Sequence, residues 1–75
     1  MTVSSSRASI PQVIGTRIAQ LRKANGMTQR ELSSILGVTA QAVSRWECGI
    51  CAPDLALLVS LSRTFGVSLD CLFGL

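Results

Sequence analysis

Histidine and tyrosine are absent from this 75-residue chain, and its aromatics are one Trp and two Phe. The lack of His removes the commonest general base at neutral pH. The four acidic residues are not paired in any stretch that reads as a cleft. Enzymatic chemistry is therefore not expected, and neither is a cofactor. Long hydrophobic runs are missing too. The longest, Ala56 to Leu61, is broken by Ser60 and is far too short to span a bilayer. No basic segment followed by an apolar stretch opens the chain, so a secretory signal is not expected and a cytoplasmic location is the default. Cysteine is sparse and odd in number, at positions 48, 51 and 71. That does not suit a secreted disulfide scaffold. Cys48-Gly-Ile-Cys51 invites a metal reading, but a closed zinc site wants four ligands. With one further Cys and no His, no metal is expected. A thioredoxin-like role needs a strand-to-helix context that the pattern lacks. Oxidation of Cys48 and Cys51 to a disulfide would distort the end of the helix there.

What is present is a compact helical pattern. Seven basic residues against four acidic ones give a net charge of +3. Arg17, Arg22, Lys23, Arg30 and Arg45 all fall in the first two thirds. A clustered positive field suits a polyanion. Residues 1–9 are Ser-rich and aperiodic and read as a flexible arm; residues 10–75 read as one domain. Pro11 suits the first turn of a helix. Ile14, Ile18 and Leu21 recur at helical spacing, and Gly26 supplies a stop, giving a first helix over about 11–25. Thr28-Gln-Arg-Glu31 has the form of a capping box. Leu32, Ile35 and Leu36 form the stripe of a second helix that Gly37 ends. Thr39 caps a third over about 40–48, with Val43 and Trp46 inward. Asp54 opens a fourth, with Leu55, Leu58, Leu61 and Phe65 facing in and Gly66 closing it. Ser68 caps a short fifth with Leu69, Leu72 and Phe73. No period-two alternation survives. The expected fold class is all-α, five helices.

Two short helices separated by Gly37-Val38-Thr39 have the geometry of a helix-turn-helix, from about Gln29 to Trp46. Gly37 permits the bend, Ser33 is small where the helices meet, and Val38 and Val43 fill the angle between them. The outward face of the second helix then carries Ala40, Gln41, Ser44 and Arg45. An amide and a guanidinium are the side chains best matched to adenine and guanine edges in the major groove.

Thr28-Gln-Arg-Glu-Leu32, Gly37-Val-Thr, Val43-Ser-Arg-Trp-Glu47, Gly49, Pro53-Asp-Leu55 and Gly66-Val-Ser-Leu-Asp70 resemble the Cro/CI-type helix-turn-helix family of bacterial and phage regulators (the XRE family) over about residues 13–73. The resemblance implies a repressor-like domain that binds double-stranded DNA. It implies base contacts from Ala40, Gln41, Ser44 and Arg45. Phosphate contacts follow at Gln29, which grips the backbone together with its helix N-terminus, and at Thr39; Thr28 and Arg30 join that set. It further implies a structural ion pair between Arg22 and Glu47. Cys48 and Ile50 depart from the polar residues usual at these positions. Ala40 reduces one reading position to a methyl, which can touch a thymine methyl only. Readout then rests on Gln41 and Arg45.

One such domain offers a small interface, and tight specific binding usually takes two half-sites a helical turn apart. A homodimer on a near-palindromic operator is the expectation, with helix 5 and Leu72–Leu75 as apolar surface for it. Equally, the chain is read as a possible N-terminal piece of a longer regulator with a C-terminal partner domain. A different class, a protein-interaction module such as an antitoxin-like partner or adaptor, is the alternative. It would show an acidic or apolar face where this chain keeps Gln41 and Arg45.

Overall fold

In the computed structural model, which describes residues 9–75, five α-helices follow one another: α1 Ile10–Ala24, α2 Gln29–Leu36, α3 Ala40–Glu47, α4 Leu55–Phe65 and α5 Leu69–Leu72. No strand forms among these residues. Each helix begins at a polar cap whose side-chain oxygen accepts from the amide three residues on: Ser9, Thr28, Thr39, Asp54 and Ser68. A helix leaves its first amides without intrahelical acceptors, and a cap of this kind is worth about 1 kcal/mol. Thr28 and Glu31 close a reciprocal box, with the Glu31 amide donating to Thr28 Oγ1 over 3.0 Å and the Thr28 amide to Glu31 Oε1 over 2.8 Å.

Ser9 was expected at the end of an unstructured arm, with the helix beginning at Pro11. It is instead the N-cap of α1. Its hydroxyl accepts from the Gln12 amide, and the Gln12 side chain accepts from the Ser9 amide. The rest of the expected arm, residues 1–8, lies outside the described residues.

Ile14, Ile18, Leu32, Val43, Trp46, Leu58, Leu61 and Leu72 form one core drawn from every helix. Two residues expected inside are out. Ile35 is 55% exposed and Leu55 70% exposed. At about 100° per residue, Leu32 and Leu36 lie close together on α2, with the buried Ser33 on one flank of the pair and Ile35 on the other, away from the core. Along α4, Leu58, Leu61 and Phe65 define the inward direction, and Leu55 sits roughly a quarter-turn away on the open first turn. No helix of the described residues is long and apolar enough to cross a membrane.

α1 and α3 approach very closely. A Cβ placed on the buried Gly15 of α1 would lie 1.9 Å from the Trp46 carbonyl oxygen on α3. Only glycine permits that separation, so Gly15 sets the distance between scaffold and third helix.

Candidate nucleic-acid interface

α2 and α3 are joined by three residues, and the bend is made at Gly37, whose φ of 73° is left-handed. Such a backbone costs a residue with a Cβ about 1 kcal/mol or more. The Val38 amide then donates back to the Ser33 carbonyl over 3.0 Å, closing the turn. Ser33 is buried and satisfies its hydroxyl by donating to the Arg30 carbonyl over 2.7 Å. A larger side chain there would push the two helices apart.

α3 divides cleanly into two faces. Val43 and Trp46 are buried, Gln41 and Arg45 are exposed, and Ala40 and Ser44 are half-buried beside them. Gln41 and Arg45 stand four residues apart and share one side of the helix. Among the described residues, neither side chain is engaged by another hydrogen-bonding side chain, so both are available to an external partner. Thr28 and Thr39 use their oxygens as caps, and their hydroxyl protons remain for donation. Arg30 is exposed beside Thr28.

Three of the four acidic residues are engaged locally: Glu31 in the capping box, Glu47 with Arg22, and Asp54 as the cap of α4. Among the described residues, none of these carboxylates pairs with Arg45 or Arg30, so both guanidiniums are left to attract an external anion.

The far end of α3 is anchored by a partly buried network. Glu47 Oε2 accepts from Arg22 Nε at 2.6 Å, and Oε1 accepts from Arg22 Nη2 at 2.9 Å. The side chains are only 11% and 9% exposed. Arg22 Nη1 donates to the Met27 carbonyl over 2.8 Å, one residue before the cap of α2. Glu47 Oε1 also accepts from Gln29 Nε2 at 3.0 Å. Gln29, assigned from the sequence to phosphate alone, thus commits one amide proton to Glu47. Burial pushes the Glu47 carboxyl upward. The hydrogen bonds from Arg22 and Gln29, with the charges of Arg22 and Lys23, outweigh it and hold the carboxyl below its usual range. The Arg22 guanidinium is held above its usual value, chiefly by its hydrogen bond to Glu47 against the opposing effect of burial.

The helix-turn-helix family model HTH_3 matches residues 18–70. The chain belongs to this family. A prophage-derived, uncharacterised HTH-type transcriptional regulator of Bacillus subtilis, YonR, is 37% identical over 58 residues, covering 77% of this chain and 54% of that protein. An uncharacterised HTH-type regulator of Archaeoglobus fulgidus is 36% identical over 58 residues, 77% of this chain and 83% of that protein. Among solved structures, the P22 c2 repressor in complex with a synthetic operator has a TM-score of 0.77 and 34% identity over 83% of this chain and 94% of that one. The chain spans about half the length of the B. subtilis regulator that it matches. Its fold is that of a Cro/CI-type helix-turn-helix domain.

Two contributors to the site were not anticipated from the sequence. Gly15 sets the α1–α3 distance, and Gln29 joins the Arg22–Glu47 pair. A glycine inside an otherwise regular helix was the available signal for the first. The second, spanning 18 residues, left no local trace.

Proposed function

We propose that residues 10–75 form the operator-binding domain of a cytoplasmic transcriptional regulator that represses by occupying its site. α3 enters the major groove and α2 lies across the backbone. Gln41 reads adenine and Arg45 guanine, each through paired hydrogen bonds. Ala40 offers its methyl to thymine, and Ser44 makes a supporting contact. Thr28, Gln29, Arg30 and Thr39 position the domain on phosphates without reading sequence. The observation that carries this reading is the exposed, unengaged Gln41–Arg45 face on a helix whose other face is buried in the core. An acidic or apolar face at these positions would have suited a protein partner instead. The structural likeness to the operator-bound P22 c2 repressor supports the same orientation.

Two copies on a near-palindromic site would double the small interface of one domain. Selection of bound duplexes from a random pool tests the whole proposal. The expected result is a half-site repeated in inverted orientation at about one helical turn, with log affinity falling linearly in log salt as counterions are released. Failure to bind any duplex at low salt would refute it.

A further inference from the structure

Glu47 stands at the last position of α3, and Gln29 at the first position of α2. The two ends meet. The Gln29 carboxamide donates to the same Glu47 oxygen that accepts from Arg22 Nη2, at 3.0 and 2.9 Å. Arg22 meanwhile fixes the Met27 carbonyl just ahead of the α2 cap. Three elements thus converge on one carboxylate: the scaffold helix, the start of the backbone-crossing helix and the end of the reading helix.

A primary amide carries two protons on one nitrogen. When Glu47 takes one, the plane of the Gln29 carboxamide is fixed and the direction of the second N–H with it. A free glutamine at a helix start samples several rotamers and gives up side-chain entropy when a ligand fixes it. Here the carboxylate has already selected the rotamer. Removal of Glu47 would return Gln29 to that free state even if α2 and α3 kept their places.

We propose that Glu47 is a positioning residue for DNA binding: through its hydrogen bond it pre-orients the Gln29 carboxamide for one backbone phosphate, and so couples phosphate anchoring on α2 to the end of α3. This rests on the reading of α2 as the phosphate-contacting helix. Arg22 and Glu47 therefore do more than hold the fold, because the pair's third partner faces the nucleic acid.

The test is a cycle of Gln29→Ala, Glu47→Ala and the double variant on a duplex selected by the wild-type chain, measured well below each melting temperature and corrected for the folded fraction. Gln29→Ala leaves the Arg22–Glu47 bonds in place, so the cycle retains one well-folded arm, whereas Glu47→Ala removes the acceptor that Gln29 uses. Glu47→Ala should weaken binding about tenfold, which is roughly the side-chain entropy that Gln29 must then lose, with no change in base preference. In the Gln29→Ala background the same change should alter affinity less than about twofold. Phosphate-ethylation interference should show loss of the same single phosphate per half-site in both single variants, with the others kept. Equal effects of Glu47→Ala with and without Gln29, or retention of that phosphate in Glu47→Ala, would overturn the proposal while leaving the DNA-binding reading intact. A wild-type chain that binds no duplex would overturn both.

Discussion

Replacement of Gly15 by alanine sets two physical effects against each other, and the structure decides the sign. Helix propensity favours alanine over glycine in a helix interior by about 1 kcal/mol, and Gly15 lies in the middle of α1. On that basis alone the substitution stabilises. The added Cβ, however, would lie 1.9 Å from the Trp46 carbonyl oxygen and 2.9 Å from its carbon. A carbon and an oxygen need about 3 Å or more, so α1 and α3 must separate by over 1 Å, and no rotamer change can relieve a clash with backbone. Overpacking of this kind costs typically 1–3 kcal/mol. A backbone obstacle belongs at the upper end, so the net loss is about 2 kcal/mol. In a domain of this size each kcal/mol moves the melting temperature by about 4–8 °C. Thermal denaturation followed by circular dichroism should show a fall of about 10 °C or more. An unchanged or raised melting temperature would refute the close approach, because propensity alone would then account for the outcome.

Glu47→Ala should destabilise by about 2–3 kcal/mol, because it strands a nearly buried guanidinium and removes three hydrogen bonds to a charged group; a melting temperature within 2 °C of wild type would mark the pair as a weak surface contact. Acid should act through the same carboxyl. Its folded value lies below the ordinary value of about 4.3, so its contribution is complete above that and is lost as pH falls through the folded value. Stability attributable to Glu47 should therefore be flat from pH 7 to 5 and decline below about 4, and Glu47→Gln should lack that part of the decline. Arg45→Ala should cost about 1–3 kcal/mol on the selected site and relax preference at one base pair; an equal loss on all sequences would reassign Arg45 to phosphate. Gly37→Ala should cost about 1–2 kcal/mol from its left-handed backbone, as no atom crowds the added Cβ; a neutral result in urea denaturation would show that the turn can readjust.

The helix starts were legible because capping is a local event between residues three apart. Thr28 with Glu31, Thr39, Asp54 and Ser68 could each be recognised without knowledge of the fold. Ser9 was missed because it closes a Ser-rich, aperiodic stretch, although Ser9 and Gln12 stand at capping-box spacing. The HTH turn was legible for the same local reason: Gly37 sits where a left-handed residue must. The inward faces were less so. Ile35 and Leu55 fit the helical period but lie off the arc their neighbours cover, and that arc is set by where the other helices pack. A glycine within the first helix hinted at a close approach without naming its partner, and the Gln29–Glu47 bond left no trace at all, since each depends on the relative placement of two helices. For the site, the exposure of Gln41 and Arg45 followed from the burial of Val43 and Trp46 on the same short helix.

The placement of α3 has a consequence for how affinity and specificity divide. Its N-terminal end is fixed by the Thr39 cap and the Gly37 bend, and its C-terminal end by Gly15 beneath Trp46 and by Arg22 on Glu47. With both ends held and the inner face in the core, the helix has little freedom to tilt to suit a different base sequence. Adaptation is left to the side chains of Gln41 and Arg45, which no other side chain among the described residues engages. A reader so constrained pays little conformational entropy in its backbone on binding and tolerates little misalignment of the duplex. On the proposed reading, discrimination should depend on the register set by the phosphate contacts, because a shift of α2 along the backbone would carry Gln41 and Arg45, fixed to the same scaffold, off their bases. On that reading Gln29 would govern how sharply α3 discriminates without contacting a base itself.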